Sequence, residues 1–292
     1  PEVRGPPRKR PGASPAVKDR TRAEDRTLSE SQPQFRTPLL QRIFDYVRER
    51  WDPEFTFLAA ETIPWTAPPA SLEETRVALV STGGLHVTGD APFRTMEDPM
   101  GDTSFRVIPH GTGSGGLDLA APYGDPKSVA HDLEVALPMK ALERLHGEGL
   151  VGPPASRHYS FTGGVVRPLP GLAESAERFA GLLREDGTGA CVLLPTCSLC
   201  VQTVSVVARE LESRGFPTVT VSLIPELSEI VGAPRILTVR FPFGAPCGNP
   251  GNAELHRAVL LEALTLLVEA KSPGEMRASS TVWRRSPSDD AR

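Results

Sequence analysis

Helix-like and strand-like segments alternate along the second half of the chain, and this alternation restricts the fold more than any other feature of the sequence. Helical patterns cover residues 173–186, 201–214 and 252–270. Short apolar runs, typical of buried strands, lie at 189–194, 217–223 and 235–241. Strands that alternate with helices favour a largely parallel sheet with helices on both faces. The sequence therefore predicts a three-layer α/β fold.

The first half shows the same elements with less regular spacing. Thr37 and Pro38 supply an N-cap and a first-turn proline for a helix, and its apolar stripe either packs on the domain or forms a dimer face of a homo-oligomer. Residues 75–87 predict a buried strand that opens into a Gly-Gly loop, and 104–109 predict a short strand. Residues 132–152 predict a strand that ends near Ala136 and a helix after it.

Composition changes sharply at both ends of the chain. Residues 1–36 are rich in Arg, Pro, Ser, Glu and Asp, and such a segment buries too little apolar surface to offset its ordering entropy. Residues 271–292 have a similar character, so both segments are predicted to be disordered. The ordered domain is predicted over 37–270, with two related halves at 62–165 and 170–270, each carrying a strand that runs into a loop of small residues.

Charge and cysteine content restrict the classes of partner and compartment. The formal net charge is −4 and the pI is about 5.9, and no basic face interleaved with aromatic residues is visible. Nucleic acid and anionic membrane are therefore not expected partners. Four cysteines are too few for a disulfide scaffold of this length, and a C-x-x-C pair suits a reducing compartment, so we predict a cytoplasmic protein.

Cys197 and Cys200 lie where an apolar strand gives way to a helix, at the edge where ligands bind in parallel sheets. The N-terminus of the helix offers unpaired N–H groups that stabilise a thiolate. Cys197, the outer residue, is the predicted nucleophile, and Cys200, one turn on, is the predicted resolving thiol. Two thiols packed in a core are one alternative. A zinc site built with Cys247 and a histidine is another, although no metal is expected.

Several segments taken together resemble one known family. The segments are VALVSTGGLHV (77–87), FRTMEDPMGDTSFRVIP (93–109), ASRHYSFTGG (155–164), LLPTCSLCVQTV (193–204) and VRFPFGAPCGNPGNAELHRAVLLEAL (239–264). In this order they resemble the selenoprotein B family of glycine, sarcosine, betaine and D-proline reductases. The resemblance covers roughly residues 62–270, and Cys197 stands at the family's selenocysteine-or-cysteine position.

The resemblance implies reductive cleavage of a carbon–nitrogen bond in a small amino-acid-like or amine substrate. Cys197 would expel the amine, Cys200 would release the product, and a dithiol or thioredoxin-like donor would reopen the resulting disulfide. No bound cofactor is expected in this chain, because in the D-proline enzyme a separate subunit carries the pyruvoyl group. The chain has Val201 where members of the family often have a histidine.

The matching motifs also suggest substrate-binding residues. Arg106 would grip a carboxylate through paired hydrogen bonds, or it bridges loops. His158 and Tyr159 would supply a proton donor, or the histidine is structural. The full predicted substrate-binding set is Arg106, His86, Arg157, His158, Tyr159 and Gln202. The stretch that begins at Arg240 and includes Gly244 forms either a pocket wall or a simple turn.

Three functions fit these observations. The first is a thiol-dependent oxidoreductase that resembles the reductase B subunit and works with partner subunits. The second is a binding or assembly subunit that has lost turnover. The third is a disulfide-exchange protein that acts on other proteins. The pKa of Cys197 separates the second from the other two, and the size of the substrate separates the first from the third.

Overall fold

The computed structural model describes residues 28–29, 35–95, 100–120 and 126–283. Its helices are α1 Pro38–Arg50, α2 Pro126–His131, α3 Met139–Gly147, α4 Gly171–Glu185, α5 Ser198–Glu212, α6 Pro225–Val231 and α7 Ala253–Glu269. Its strands are β1 Leu28–Ser29, β2 Ala59–Ala60, β3 Val77–Ser81, β4 Leu85–Val87, β5 Arg106–Pro109, β6 Leu117–Leu119, β7 Arg157–Ser160, β8 Ala190–Leu194, β9 Thr218–Ser222, β10 Arg235–Thr238 and β11 Glu275–Ala278. None of the helices described is long and apolar enough to cross a membrane.

A seven-stranded sheet with the order β11-β10-β9-β8-β3-β7-β5 organises the fold. Every neighbouring pair is parallel except β5 and β7, which are antiparallel at one edge. Two small antiparallel pairs, β1 with β2 and β4 with β6, lie outside this sheet. The predicted three-layer α/β fold with a mostly parallel sheet is confirmed.

Both faces of the sheet are covered by helices, and this explains why the central strands read as continuous apolar runs. Every residue of β3, β8 and β9 is buried. Side chains alternate along each strand, so Leu79 and Val192 join the core that contains α3 and α7. Val80 and Leu193 join the opposite core, which contains α1, α4, α5 and α6.

Two predictions about secondary structure are wrong. The strand predicted to end near Ala136 is a short 3₁₀ helix, Leu133–Val135. Its first turn is held by Asp132, whose side chain accepts a hydrogen bond from the backbone N–H of Glu134. This local cap favours a turn over an extended backbone.

The second error concerns the C-terminal tail, which is not disordered over its first part. β11 pairs with β10 over four residues, from Glu275 opposite Arg235 to Ala278 opposite Thr238. Trp283 packs against Phe241 with the two rings tilted and their centroids 5.8 Å apart. β11 is an edge strand with half of its positions exposed, so its polar sequence resembles a solvated tail. Most of the segment 1–36, and residues 284–292, lie outside the described residues.

Candidate active site

The loops that follow β3, β7 and β8 meet at one edge of the sheet, because these adjacent strands are parallel and end in register. Ser81 at the end of β3 lies opposite Ser160 in β7 and Leu194 in β8. The loops are tied together by backbone hydrogen bonds, from Gly84 N to the Phe161 carbonyl at 2.9 Å and from Thr82 N to the Leu194 carbonyl at 3.1 Å. The cysteine pair follows β8 at this edge.

Cys197 and Cys200 form a disulfide bond at the start of α5. Cys197 is the N-cap residue, and its Sγ accepts a hydrogen bond from the backbone N–H of Cys200 at 3.2 Å. This N–H is one of the orphan donors of the first helical turn, and together with the helix dipole it favours negative charge on the Cys197 sulfur. Cys197 is 5% exposed and Cys200 is fully buried, so Cys197 is the sulfur nearer to solvent.

Gly163 packs directly against both sulfur atoms. A Cβ built at this glycine would lie 2.7 Å from Cys197 Sγ and 2.7 Å from Cys200 Sγ. Real Cβ atoms do not approach that closely, and the sulfurs are held at the start of a helix and cannot simply rotate away. The loop after β7 must therefore have a residue without a side chain at this position.

The threonines Thr82 and Thr196 fix the loop that precedes Cys197. The backbone N–H of Thr196 donates to the Thr82 hydroxyl at 3.1 Å, and the Thr196 hydroxyl donates to the Thr82 carbonyl at 3.1 Å. Cys200 Sγ lies 3.6 Å from the Thr196 hydroxyl and 4.0 Å from the Thr82 carbonyl. Once reduced, the buried Cys200 thiol has both groups as hydrogen-bond partners.

A cleft of about 570 Å³ opens over Cys197. One wall is α1, whose residues Arg42, Ile43, Tyr46 and Val47 recur at the i, i+4 spacing of one helix face. The cleft is lined by Arg42, Ile43, Tyr46, Val47, Trp51, Gly164, Cys197, Ser198, Leu199 and Phe243. Phe243 comes from the stretch for which a pocket wall was one interpretation, and the N–H of the next residue, Gly244, donates to the Thr196 carbonyl at 2.7 Å.

The other two cysteines have no part in this cleft. Cys191 and Cys247 are free and buried, and burial raises the pKa of both thiols. Both therefore stay protonated and unreactive at neutral pH. Within the described ranges, no group of three or more histidine, cysteine, aspartate or glutamate side chains is arranged to hold a metal ion.

The structure does not bring Arg106 to the cleft. Its guanidinium donates to the carbonyls of Ala91 at 2.8 Å and Pro92 at 2.9 Å and to the Ser104 hydroxyl at 2.8 Å. It also stacks over the Phe93 ring at 4.2 Å. These contacts correspond to the loop-bridging alternative, because they occupy the donors that a carboxylate would need.

Arg157 lies at the amino end of β7, at the opposite end of the strand from the loop that carries Gly163. Its guanidinium donates to both carboxylate oxygens of Asp186 at 2.8 Å and to Glu185 at 3.1 Å. Hydrogen bonding to Asp186 raises the pKa of Arg157 further above its ordinary value. This residue ties β7 to the end of α4 and does not line the cleft.

His158 and Tyr159 are also structural in their contacts. The backbone N–H of Leu79 donates to His158 Nδ1 at 3.1 Å, and His158 Nε2 lies 2.9 Å from His110 Nδ1. Because Nδ1 accepts, Nε2 carries the proton, and burial lowers the pKa of His158 to about 3. Tyr159 lies in the core that contains α1, α4, α5 and α6, where its ring packs against Phe179 with the centroids 4.1 Å apart.

His86 and Gln202 are buried near the site without lining the cleft. His86 contacts Phe93 edge to face, with ring centroids 6.3 Å apart. Gln202 Oε1 accepts a hydrogen bond from the backbone N–H of Leu58 at 2.9 Å and so holds the segment after α1 against α5. Of the predicted site residues, only Cys197 and Cys200 meet in one place, and sequence reasoning missed Arg42 and Gly163.

Comparison with known proteins adds a second line of evidence. The chain is 29% identical over 212 residues to the D-proline reductase subunit gamma of Acetoanaerobium sticklandii, a match that covers 73% of this chain and 86% of that one. It is 27% identical to the sarcosine reductase complex component B subunit beta of Peptoclostridium acidaminophilum, over 75% of this chain and 51% of that one. The chain is a homologue of these reductase subunits.

The chain is also similar to the betaine reductase complex component B subunit beta of Peptoclostridium acidaminophilum, at 26% identity over 80% of this chain. The chain spans about half the length of these relatives: the matches cover 51% of the sarcosine subunit and 56% of the betaine subunit. No family model matches it, and no solved structure does. Because the similar proteins are subunits of reductases, the comparisons support a reductase-related role for this chain.

Proposed function

We propose that this chain is a thiol-dependent reductase subunit that cleaves a carbon–nitrogen bond of a small amino-acid-like substrate, with Cys197 as nucleophile and Cys200 as resolving thiol. The observation that carries the proposal is the disulfide between Cys197, which lines a cleft, and the fully buried Cys200. This arrangement gives the substrate access to one sulfur and reserves the other for the second step.

The reaction balances over two steps. The Cys197 thiolate attacks the carbon next to a carbonyl or carboxylate, so that a C–S bond forms, the C–N bond breaks and the amine leaves with a proton. The Cys200 thiolate then attacks Cys197 Sγ, an S–S bond forms, and the carbon leaves and takes up a proton. The substrate gains two electrons and two protons, and the dithiol becomes a disulfide.

A further dithiol must reopen the disulfide after each turnover. A small dithiol or a thioredoxin-like protein is the donor that we propose, and such a cycle needs a reducing compartment, for which we propose the cytoplasm. Partner subunits complete the enzyme, and a pyruvoyl group that activates the substrate would belong to one of them. Support for partners comes from the names of the homologues, several of which are components of reductase complexes.

The Cys200→Ser variant tests the proposal because it stops the cycle at the covalent adduct. The reduced variant, alone and with its co-purified partner subunits, is incubated with glycine, sarcosine, betaine, D-proline and simple amines, and the intact protein is weighed by mass spectrometry. We expect a mass increase on Cys197 with one substrate and release of one amine. The wild type should instead form the Cys197–Cys200 disulfide with the same stoichiometry.

The Cys197→Ser variant is the matched control and should form neither adduct nor disulfide. Absence of adduct with every substrate and every partner, while Cys197 remains accessible to a small alkylating agent, would contradict the proposal. That result would favour the subunit that binds or assembles without turnover. Oxidation of protein thiols with no small-molecule adduct would favour the disulfide-exchange protein.

A further inference from the structure

Among the described residues that line the cleft over Cys197, one side chain is positively charged, that of Arg42. Arg42 lies on α1, which forms one wall of the cleft and packs its other face against the core through Leu40 and Phe44. It is exposed in the described structure. The sequence resemblance starts after this helix, so no motif drew attention to Arg42.

Arg42 differs from the other arginines on the same helix in its contacts. Arg48 lies over the Phe44 ring at 5.2 Å, and Arg50 lies over the Tyr46 ring at 5.8 Å. Within the part of the chain that the structure describes, no hydrogen bond, ion pair or ring contact involves Arg42. The nearest acid along the helix face, Asp45, accepts a hydrogen bond from Gln41 at 2.8 Å. The guanidinium is therefore available to an anionic ligand.

The rest of the cleft restricts what that ligand is. Ile43, Val47, Leu199 and Phe243 make most of the lining apolar, and Trp51 adds an aromatic surface. Apolar walls with one cation suit a small molecule with an apolar body and one carboxylate. The N-terminus of α5 beside Cys197 adds a second source of positive potential on the same side.

We propose that Arg42 binds the carboxylate of the substrate and thereby places its reacting carbon at Cys197 Sγ. The inference rests on the proposed function, because it names the residue that selects a carboxylate at the same site. It gives Arg42 the role predicted from the sequence for Arg106, whose donors are used by the loop carbonyls and Ser104. Arg42 is a substrate-binding residue that acts on the charge of the ligand.

Two alkylating agents of nearly equal size test this inference without any turnover. Iodoacetate carries a carboxylate and iodoacetamide does not, so the ratio of their rates with Cys197 reports the preference of the cleft for a carboxylate. The ratio is measured in the reduced full chain carrying Cys200→Ser, and then with Arg42→Gln, Arg42→Lys or Arg48→Gln added. Free cysteine provides the reference ratio.

We expect the Arg42→Gln variant to lower the iodoacetate-to-iodoacetamide ratio about 1.5-fold to fivefold, the range for an exposed charge pair. The Arg42→Lys variant should retain most of the ratio, and Arg48→Gln should leave it unchanged. Added salt should lower the ratio in the parent and have less effect in Arg42→Gln, because screening weakens the attraction. The iodoacetamide rate should stay unchanged in Arg48→Gln, and in Arg42→Gln it should fall less than the iodoacetate rate, because only iodoacetate carries the carboxylate.

The outcomes separate this inference from the proposed function. A ratio that Arg42→Gln does not change, with normal iodoacetamide reactivity, overturns the role of Arg42 and leaves the Cys197 mechanism standing. If the ratio depends on Arg42 but Cys197 has an ordinary thiol pKa, the result supports the carboxylate site and contradicts the role of Cys197 as an activated nucleophile. A Cys197 that neither reagent reaches overturns both.

Discussion

The sulfur atoms of Cys197 and Cys200 lie against the backbone of Gly163, a residue that is distant from them in the sequence and adjacent in space because β7 and β8 flank β3. A Cβ at this position would approach both sulfurs to 2.7 Å. The glycine therefore sets the space in which the pair exchanges between dithiol and disulfide.

A Gly163→Ala substitution should shift the redox equilibrium of the pair and slow closure of the disulfide at least severalfold, because the methyl group occupies the space of the sulfurs. The measurement is the fraction of Cys197–Cys200 disulfide in glutathione buffers of graded ratio, with thiols trapped and weighed. Gly181→Ala is the control, since a Cβ there meets no atom within 4 Å; in mid-helix it should add roughly 0.5–1 kcal/mol of stability. An unchanged redox equilibrium in Gly163→Ala would contradict the close packing of the two sulfur atoms against residue 163.

Single residues also show how far the sequence predicts the site. The Cys197–Cys200 spacing at a strand–helix junction predicts the redox pair from local sequence alone. Arg42 and Gly163 reach the pair only through tertiary contacts between segments far apart in the chain, and the apolar stripe of α1 fits a packing helix equally well. The charged and aromatic residues of the motifs were predicted to bind substrate, yet Arg106 and Arg157 satisfy their donors within the fold.

Among the elements, β7 is fixed to β3 through a buried histidine as well as through the strand ladder. His158 accepts from Leu79 N and is protonated on Nε2 toward His110. Burial lowers its pKa from 6.5 to about 3. The folded protein holds this ring neutral, whereas the unfolded chain protonates it below about pH 6.5.

This difference predicts an acid-dependent loss of stability. Between pH 6.5 and pH 3 the unfolded state binds more protons than the native state, so the free energy of unfolding falls as the pH falls, by up to about 1.4 kcal/mol per pH unit from this residue. Denaturant unfolding of the wild type and of His158→Gln between pH 4 and pH 7.5 measures it. The variant should be less stable than the wild type at pH 7.5, but its free energy of unfolding should change less steeply with pH. Parallel slopes would mean that His158 titrates normally in the fold.

Elements also differ in how well the sequence predicts them. The strands β3, β8 and β9 and the helices α4, α5 and α7 follow from apolar runs and helical spacing, because their burial leaves a strong pattern. The 3₁₀ turn before α3 was predicted as a strand, since Leu133 and Val135 are apolar and the cap from Asp132 is a single local hydrogen bond. Edge strand β11 has no apolar pattern because half of it faces solvent.

At the scale of the whole molecule, β11 closes one side of the sheet, and the C-terminal segment contributes to stability. Besides the ladder to β10, Gly274 N donates to the Pro234 carbonyl at 2.8 Å and Ser279 N donates to the Thr238 carbonyl at 2.9 Å. A tail of this composition is not expected from sequence alone to matter for folding.

Truncation after Ala270 should therefore lower the free energy of unfolding by about 3 kcal/mol or more, because several backbone hydrogen bonds and the Trp283–Phe241 contact are lost together. Urea unfolding monitored by circular dichroism measures the loss. Truncation after Trp283 keeps all of these contacts and should give a chain more stable than truncation after Ala270 by about that amount. Equal stability of both truncated chains would contradict the role given to β11.

Cys197 is an activated thiol paired with Cys200 in this mechanism, and the pH dependence of its alkylation rate by iodoacetamide is the measurement to make. The measurement uses the wild type and Cys200→Ser after dithiol reduction, with the modified residue identified by mass spectrometry. We expect an apparent Cys197 pKa well below the free-thiol value of about 8.5, and reversible closure of the Cys197–Cys200 disulfide in the wild type. An unshifted pKa, together with a Cys197 that never pairs with Cys200, would contradict the redox mechanism.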